Sequence, residues 1–324
     1  MALSHAPLRT AADIVLAPPL MLGYWPHRSA CAIVVDRDDR VLLIMRWEQD
    51  GDVVLPSLCQ FGLAGARPTA IHLVVFVPPG TSDPTPWLRG LQALTTTGVP
   101  TGEVLLARPD GGDIAWSAAG EHGAQVTREQ LITVAEASAT ARRWGLGTWW
   151  PSREEYVGDI APDAVALDGV TEALASAGAH VVRGDDRDRL IRDVCAHLAR
   201  SSLTAGLVAD ILLALRDTAV RDTVLWELMQ DSPRGWAVAA DRLVEVVCAA
   251  PDDYLAPPAT LLAILRWQSG DGTRAAAATA RALAAEPTYT LADLIDRSLA
   301  TGMHPDTWRE GLAGLTREEC RRSA

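Results

Sequence analysis

The densest chemistry in this chain is the hexapeptide Tyr24-Trp25-Pro26-His27-Arg28-Ser29. It sets two aromatic rings, an imidazole and a guanidinium in one turn before an apolar run. Binding residues concentrate on loops held by rigid sheets, so Tyr24, Trp25, His27 and Arg28 are candidate contacts for a small ligand or peptide. The more economical reading is a structural turn whose aromatics cap the sheet and whose Ser29 bonds to nearby backbone. A second candidate is the tryptophan-rich stretch WGLGTWWPSREEY, with Trp144, Trp149, Trp150 and Tyr156. Eleven tryptophans against two phenylalanines is an unusual ratio. Exposed Trp and Tyr clusters mark recognition surfaces, which makes Trp149 and Trp150 candidate binding residues. The alternative is a lid that packs its indoles on a domain junction.

Other constellations point away from catalysis. Asp36, Asp38 and Asp39 could pair carboxylates for acid–base work, but a polar hairpin turn has the same composition. The seven histidines include no HExxH spacing and adjoin no GxSxG elbow. His197 beside the stripe Leu190, Ile191, Val194, Cys195 and Leu198 reads as a helix-surface residue. Gly145-Leu146-Gly147 lacks the third glycine of a dinucleotide fingerprint. The five cysteines form no CxxC pair and sit in apolar surroundings, as reduced thiols do. Cys320, near the end, is expected to be exposed. No catalytic residue, cofactor or metal site is assigned.

The basic residues number 29 and all are arginine. Without lysine there is no phosphate-loop lysine and no Schiff base. The net charge of −12 is shared, each half of the chain being acidic. Broad binding to a nucleic-acid backbone is therefore disfavoured. No apolar run reaches the roughly 18 residues of a membrane span. The first residues lack an adequate apolar core for a secretory signal, so the cytoplasm is the expected location.

These residues need elements to position them. LRTAADIVLAPPLM predicts a helix capped at Thr10 and ended by Pro18-Pro19. Ala30–Val35 and Val41–Trp47 predict a hairpin, Ile71–Val77 a buried strand, and Val104–Ala107 and Ile114–Ser117 two more. A helix is expected over Pro86–Thr97, another near Leu58–Leu63, and one from about Arg128 to Arg143. Strands and helices mixed in this way predict an α/β or α+β domain with a mixed sheet over residues 1–118. Residues 119–160 read as a connecting segment or lid. Residues 161–324 read as an all-α domain.

Within that domain, Tyr254–Tyr289 reads as two antiparallel helices around Ser269-Gly270-Asp271-Gly272. Pro257-Pro258 is expected in the first turn of one helix and Thr273 as the cap of the other. The second half resembles a tetratricopeptide repeat at Gly270, Asp271, Ala275, Ala278, Ala282, Leu283 and Pro287. It departs at Thr279 and Arg266, where that repeat carries large side chains. GWAVAADRLVEVVCAAPDDY is a weaker echo.

The opening of the chain carries a second resemblance. Leu8, Arg9, Asp13, Pro19, Leu22, Gly23, Tyr24, Pro26 and Ser29 resemble the start of a family of uncharacterised actinobacterial proteins, domain of unknown function 4192. RPDGGDIAWS and the later helical segments extend the likeness over nearly the whole chain. The resemblance implies no activity. It also implies clustered cysteines after the strand ending in tryptophan, where this chain reads AAGEHGAQ.

The expected function is a non-enzymatic cytoplasmic interaction or adaptor protein, with a protein partner held by the helical domain. It is expected to engage neither nucleic acid nor membrane. The alternative is a small-molecule-binding or hydrolytic enzyme using the α/β domain.

Overall fold

The apolar run after the Tyr24–Ser29 turn is a strand because β-branched residues crowd a helix and fit a pleated sheet. In the computed structural model this strand, β1 (Ser29–Val35), is buried along its whole length. The structure describes residues 7–48, 68–78, 80–81, 98–119, 128–147, 149–177 and 186–322. The helices expected near 58–63 and over 86–97 lie outside these residues.

Five more strands join β1: β2 (Val41–Glu48), β3 (Ala70–Phe76), β4 (Thr101–Asp110), β5 (Asp113–Ala118) and β6 (Gln130–Ile132). Their order is β2-β1-β3-β4-β5-β6. Only β3 and β4 run parallel; the other neighbours are antiparallel. The sheet is therefore mixed. One face carries Cys31, Ile33, Val74, Phe76, Leu105 and Trp116, and helix α1 (Ala11–Leu22) and helix α2 (Val134–Arg143) contribute to the same core. The other face carries Ala30, Ala32, Val34, Ile71, Leu73 and Val75. The hairpin turn is explained by Asp36, whose Oδ1 accepts the N–H groups of Asp38 and Arg40 at 2.8 and 2.9 Å.

Helix α1 starts as expected at Thr10, in a reciprocal capping box with Asp13. It does not end at Pro18-Pro19. It runs through both prolines to Leu22 and stops at Gly23, whose φ is 84°. Two prolines leave two carbonyls without intrahelical donors, yet Asp13 to Leu20 are all buried, and that packing overrides the local penalty. A Cβ on Gly23 would come within 2.6 Å of the Tyr156 ring. The single helix expected over 128–143 is instead β6 followed by α2. Thr133 stops the strand and forms a capping box with Glu136, which holds the Glu136 carboxyl below its ordinary range.

The contacts divide the chain into two compact units. One consists mainly of residues 2–156, the other mainly of 157–299 and 308–324. Short helix α3 (Arg153–Val157) and a 3-10 turn (Gly158–Ile160) precede the helical run. That run comprises α4 (Ala164–Ala177), α5 (Arg187–Leu198), α6 (Ala205–Leu215), α7 (Thr218–Met229), α8 (Pro233–Ala249), α9 (Asp252–Gln268), α10 (Gly272–Ala285), α11 (Thr290–Ala300), α12 (Pro305–Leu312) and α13 (Arg317–Arg321).

The pair α9–α10 exists, but two details differ from expectation. Helix α9 begins at Asp252, so Pro257 and Pro258 lie inside it. Helix α10 is capped by Asp271, whose side chain accepts the Arg274 N–H at 3.1 Å, and Thr273 lies within the helix. A helix apolar all round must be enclosed. Residues Leu255 to Leu265 are all buried, with α6, α8 and α10 packed around them. Cys320 is buried as well, not exposed.

Two predictions follow from the sheet unit. The Asp13 side chain is 6% exposed, accepts the Arg9 and Thr10 N–H groups at 3.0 and 3.1 Å, and pairs with Arg143. Asp13→Ala is expected to lower stability by about 2 kcal/mol or more in urea denaturation followed by tryptophan fluorescence. Arg143→Ala should cost less, because that side chain is largely exposed. His72 on β3 accepts the Glu103 N–H at 3.0 Å through Nδ1, in space left by Gly102. Burial lowers its pKa, against the opposing carboxylates of Glu103 and Asp39. The unfolded chain then binds more protons than the native one, so stability falls as pH drops through the unfolded value of about 6.5. Between pH 7 and 5 the loss should be smaller in His72→Gln than in the parent chain.

Candidate functional site

Two sequence segments about 120 residues apart meet in the sheet unit. Trp150 makes strand-like bonds to both neighbours of Tyr24: its N–H donates to the Gly23 carbonyl at 2.8 Å, and its carbonyl accepts the Trp25 N–H at 2.9 Å. This isolated bridge pairs Tyr24 with Trp150. Trp25 is buried and edge-on to Phe76, with ring centroids 5.0 Å apart. Trp149 packs against it at 6.1 Å. The Tyr24 ring lies 5.7 Å from that of Tyr156. His27 Nε2 sits 2.9 Å from the Pro151 carbonyl, which can only accept, so the proton is on Nε2.

Sequence candidates Tyr24, Trp25, His27, Trp149 and Trp150 are thus brought together. Arg28 sits on the same turn at φ 47° and is exposed. Arg46 belongs to the cluster and was missed. Its Nε donates to Ser29 Oγ at 3.1 Å, and its guanidinium lies 5.7 Å from the Tyr24 ring centre. The signal was a charge inside the apolar strand VLLIMRWE, a place where arginine needs partners.

The chemistry of this cluster is mostly structural. Ser29 Oγ donates to the Pro26 carbonyl at 2.7 Å, so it is not a nucleophile activated by His27. A nearby cavity of about 220 Å³ has Ile114, Ile132, Ala137, Ala141 and Trp149 on its walls, with no titratable side chain among its lining residues. General acid–base chemistry has no group there to use. Among the described residues, no group of three or more His, Cys, Asp or Glu is placed to hold a metal ion.

A larger cavity, about 510 Å³, lies in the helical unit. Its apolar wall is Ile191 and Leu198 of α5, Leu228 of α7, and Val238 and Ala239 of α8. Arg192, Glu227, Asp231 and Arg317 bring charges of both signs to it. Cys195 also lines it, and burial with the Glu227 carboxylate pushes that thiol up to about 11, so it stays protonated. His197, expected at the helix surface, is partly buried, and its Nδ1 is enclosed without a hydrogen-bond partner. The helical sequence pattern gave the apolar stripe on α5. It could not show that α7 and α8 leave that stripe partly open.

Against this geometry, comparisons with known proteins add one finding. The family described as "Domain of unknown function (DUF4192)" matches residues 12–306. Neither the curated proteins nor the solved structures give a match.

The aromatic cluster yields a contrast. Trp25→Ala removes a buried indole and should destabilise the sheet unit by about 3–5 kcal/mol. Trp150 is 48% exposed, so Trp150→Ala should stay within about 0.5 kcal/mol of the parent. Urea melts of the two variants check this.

Proposed function

The chain belongs to the DUF4192 family, whose description assigns no activity, and from the geometry we propose a protein-interaction or adaptor role. The helical unit binds a segment of a partner protein in the cavity between α5, α7 and α8. The observation that carries this reading is the cavity itself. It has an apolar wall, a charged rim and room for two or three side chains, as helix-in-groove recognition requires. The sheet unit acts as a folded platform, because its aromatic cluster is committed to its own backbone. On this reading the stretch 254–289 is a tetratricopeptide-like pair that frames the groove, through the packing of α9 against α8. A cytoplasmic setting, an actinobacterial origin and the absence of nucleic-acid contacts accord with the thiols, the arginine-only composition and the acidic charge.

The reading is tested at Val238, 44% exposed on the groove wall, where a charge is tolerated by the fold and not by an apolar ligand. Immobilised full-length chain should retain specific proteins from extract of its native cells. Val238→Asp should lose them while its melting temperature stays within a few degrees. Equal retention by both chains, or none by either, would overturn the proposal.

A further inference from the structure

One end of the groove is already occupied, and the occupant shows what chemistry fits. Helix α13 has five residues, too few to be stable alone. It is docked on α5 and α7 by arginines one helical turn apart. Arg317 Nε reaches Glu227 Oε1 at 2.7 Å and its Nη1 reaches Asp188 Oδ1 at 3.3 Å. Arg321 Nη1 reaches Asp188 Oδ2 at 2.9 Å. Between them Cys320 is buried, 8% exposed. Just before the helix, the Trp226 indole N–H donates to the Leu315 carbonyl at 3.0 Å.

The arginines and their acceptors are all more than a third exposed. Such pairs are individually weak in water and screened by salt. The contact is therefore specific in geometry and easily exchanged. Asp188 and Glu227 together read two guanidiniums at helical spacing, with an apolar residue between them facing inward. Glu227 and Arg317 also line the open groove, so the acidic end and the apolar wall are continuous.

We propose that this end of the groove receives a partner's helical segment of the form arginine, two residues, a small apolar residue, arginine, and that α13 is its intramolecular competitor. The proposal rests on the groove reading above and adds the chemistry of the partner. Asp188 and Glu227 select the two arginines. The Leu228–Val238 wall accepts the apolar side chains that continue along the partner. Displacing α13 costs exposed ion pairs, one small buried side chain and the Trp226–Leu315 hydrogen bond, which an incoming segment with the same residues and backbone replaces in kind.

The probe is a fluorescein-labelled peptide with the sequence of Leu315–Ala324, kept reduced and titrated with full-length chain in a fluorescence anisotropy assay. Arg317→Glu with Arg321→Glu repels α13 from its acids and vacates the site. That chain should bind the peptide at least tenfold more tightly than the parent, and raising salt from about 50 to 500 mM should weaken binding severalfold. Asp188→Asn with Glu227→Gln also releases α13 but removes the acids, and should show no gain. A scrambled peptide should not bind. The proposal fails if the vacated chain binds no better than the parent, or if the neutralised chain binds as well as the vacated one. Should the charge reversals prevent folding, Arg317→Gln with Arg321→Gln is read by the same criteria. Retention that depends on Val238 without this peptide behaviour would sink the arginine motif and leave the groove standing. The converse result would do the opposite.

Discussion

A carboxylate taken out of water at the start of α1 constrains the whole sheet unit. Asp13 is almost wholly enclosed. An uncompensated charge in such a place is strongly destabilising. Its oxygens are satisfied by the Arg9 and Thr10 backbone and by Arg143 of α2. The chain before α1 must therefore curl back on its own helix, and α2 must lie beside it. With both helices placed, the Ile33–Val74–Phe76 face of the sheet has its cover. The far end of α1 then fixes Gly23, and Gly23 launches the turn that carries Tyr24, Trp25 and His27. One buried charge thus governs where the aromatic cluster can form.

The helical unit answers to a different constraint. From Leu255 to Leu265 helix α9 is buried on every side, so that stretch gives no face to water. Helices α6, α8 and α10 must pack around it. Within that enclosure the alanines of α10 let two helices approach closely, with Ala275, Ala278 and Ala282 fully buried. Arginine does the polar work at the margin. Arg274 and Arg266 lie near Asp159 at 3.3 and 3.9 Å, and Arg281 donates to the Ile160 carbonyl. These contacts tie the first turn of the unit to its central helices.

How much of this was legible depended on the range of the interactions. The strands expected over Ala30–Val35 and Ile71–Val77 were readable because their burial is written as nearly continuous apolar runs, broken only by His72. The Thr10 cap was readable from Thr and Asp three residues apart. The proline positions misled in both helices. A proline's local preference for a helix end or first turn is worth a few kcal/mol at most, and burial of Leu16 or Leu261 outweighs it. The split of 128–143 into β6 and α2 was hidden because Gln130–Ile132 is strand only by pairing with β5. The bridge from Gly23 to Trp150 was hidden for the same reason: its partners are distant in sequence, and no residue type announces it. Tyr24, Trp25, Trp149 and Trp150 were found by type as two unrelated candidates. The structure makes them one cluster, with Arg46 as its missing member.

Burial also separates the helix pair that is conspicuous in the sequence from the cavity in the helical unit. Tyr254–Tyr289 stands out because alanine, proline and glycine punctuate it so strongly. Those residues are strong signals because the local backbone demands them, but only α9 is enclosed along its middle, while α10 buries one face. Helix α9 is enclosed from Leu255 to Leu265 and reaches the surface only near its ends. The open surface lies instead on α5, α7 and α8, whose sequences look ordinary. Their apolar stripes are incompletely covered, and their acids are answered by arginines from α13. In a chain without lysine, every cation at that groove is a guanidinium, able to bridge two carboxylates at once. Arg317 does this between Glu227 and Asp188. The planar guanidinium makes such a contact depend on the spacing of its acceptors as well as on their charge.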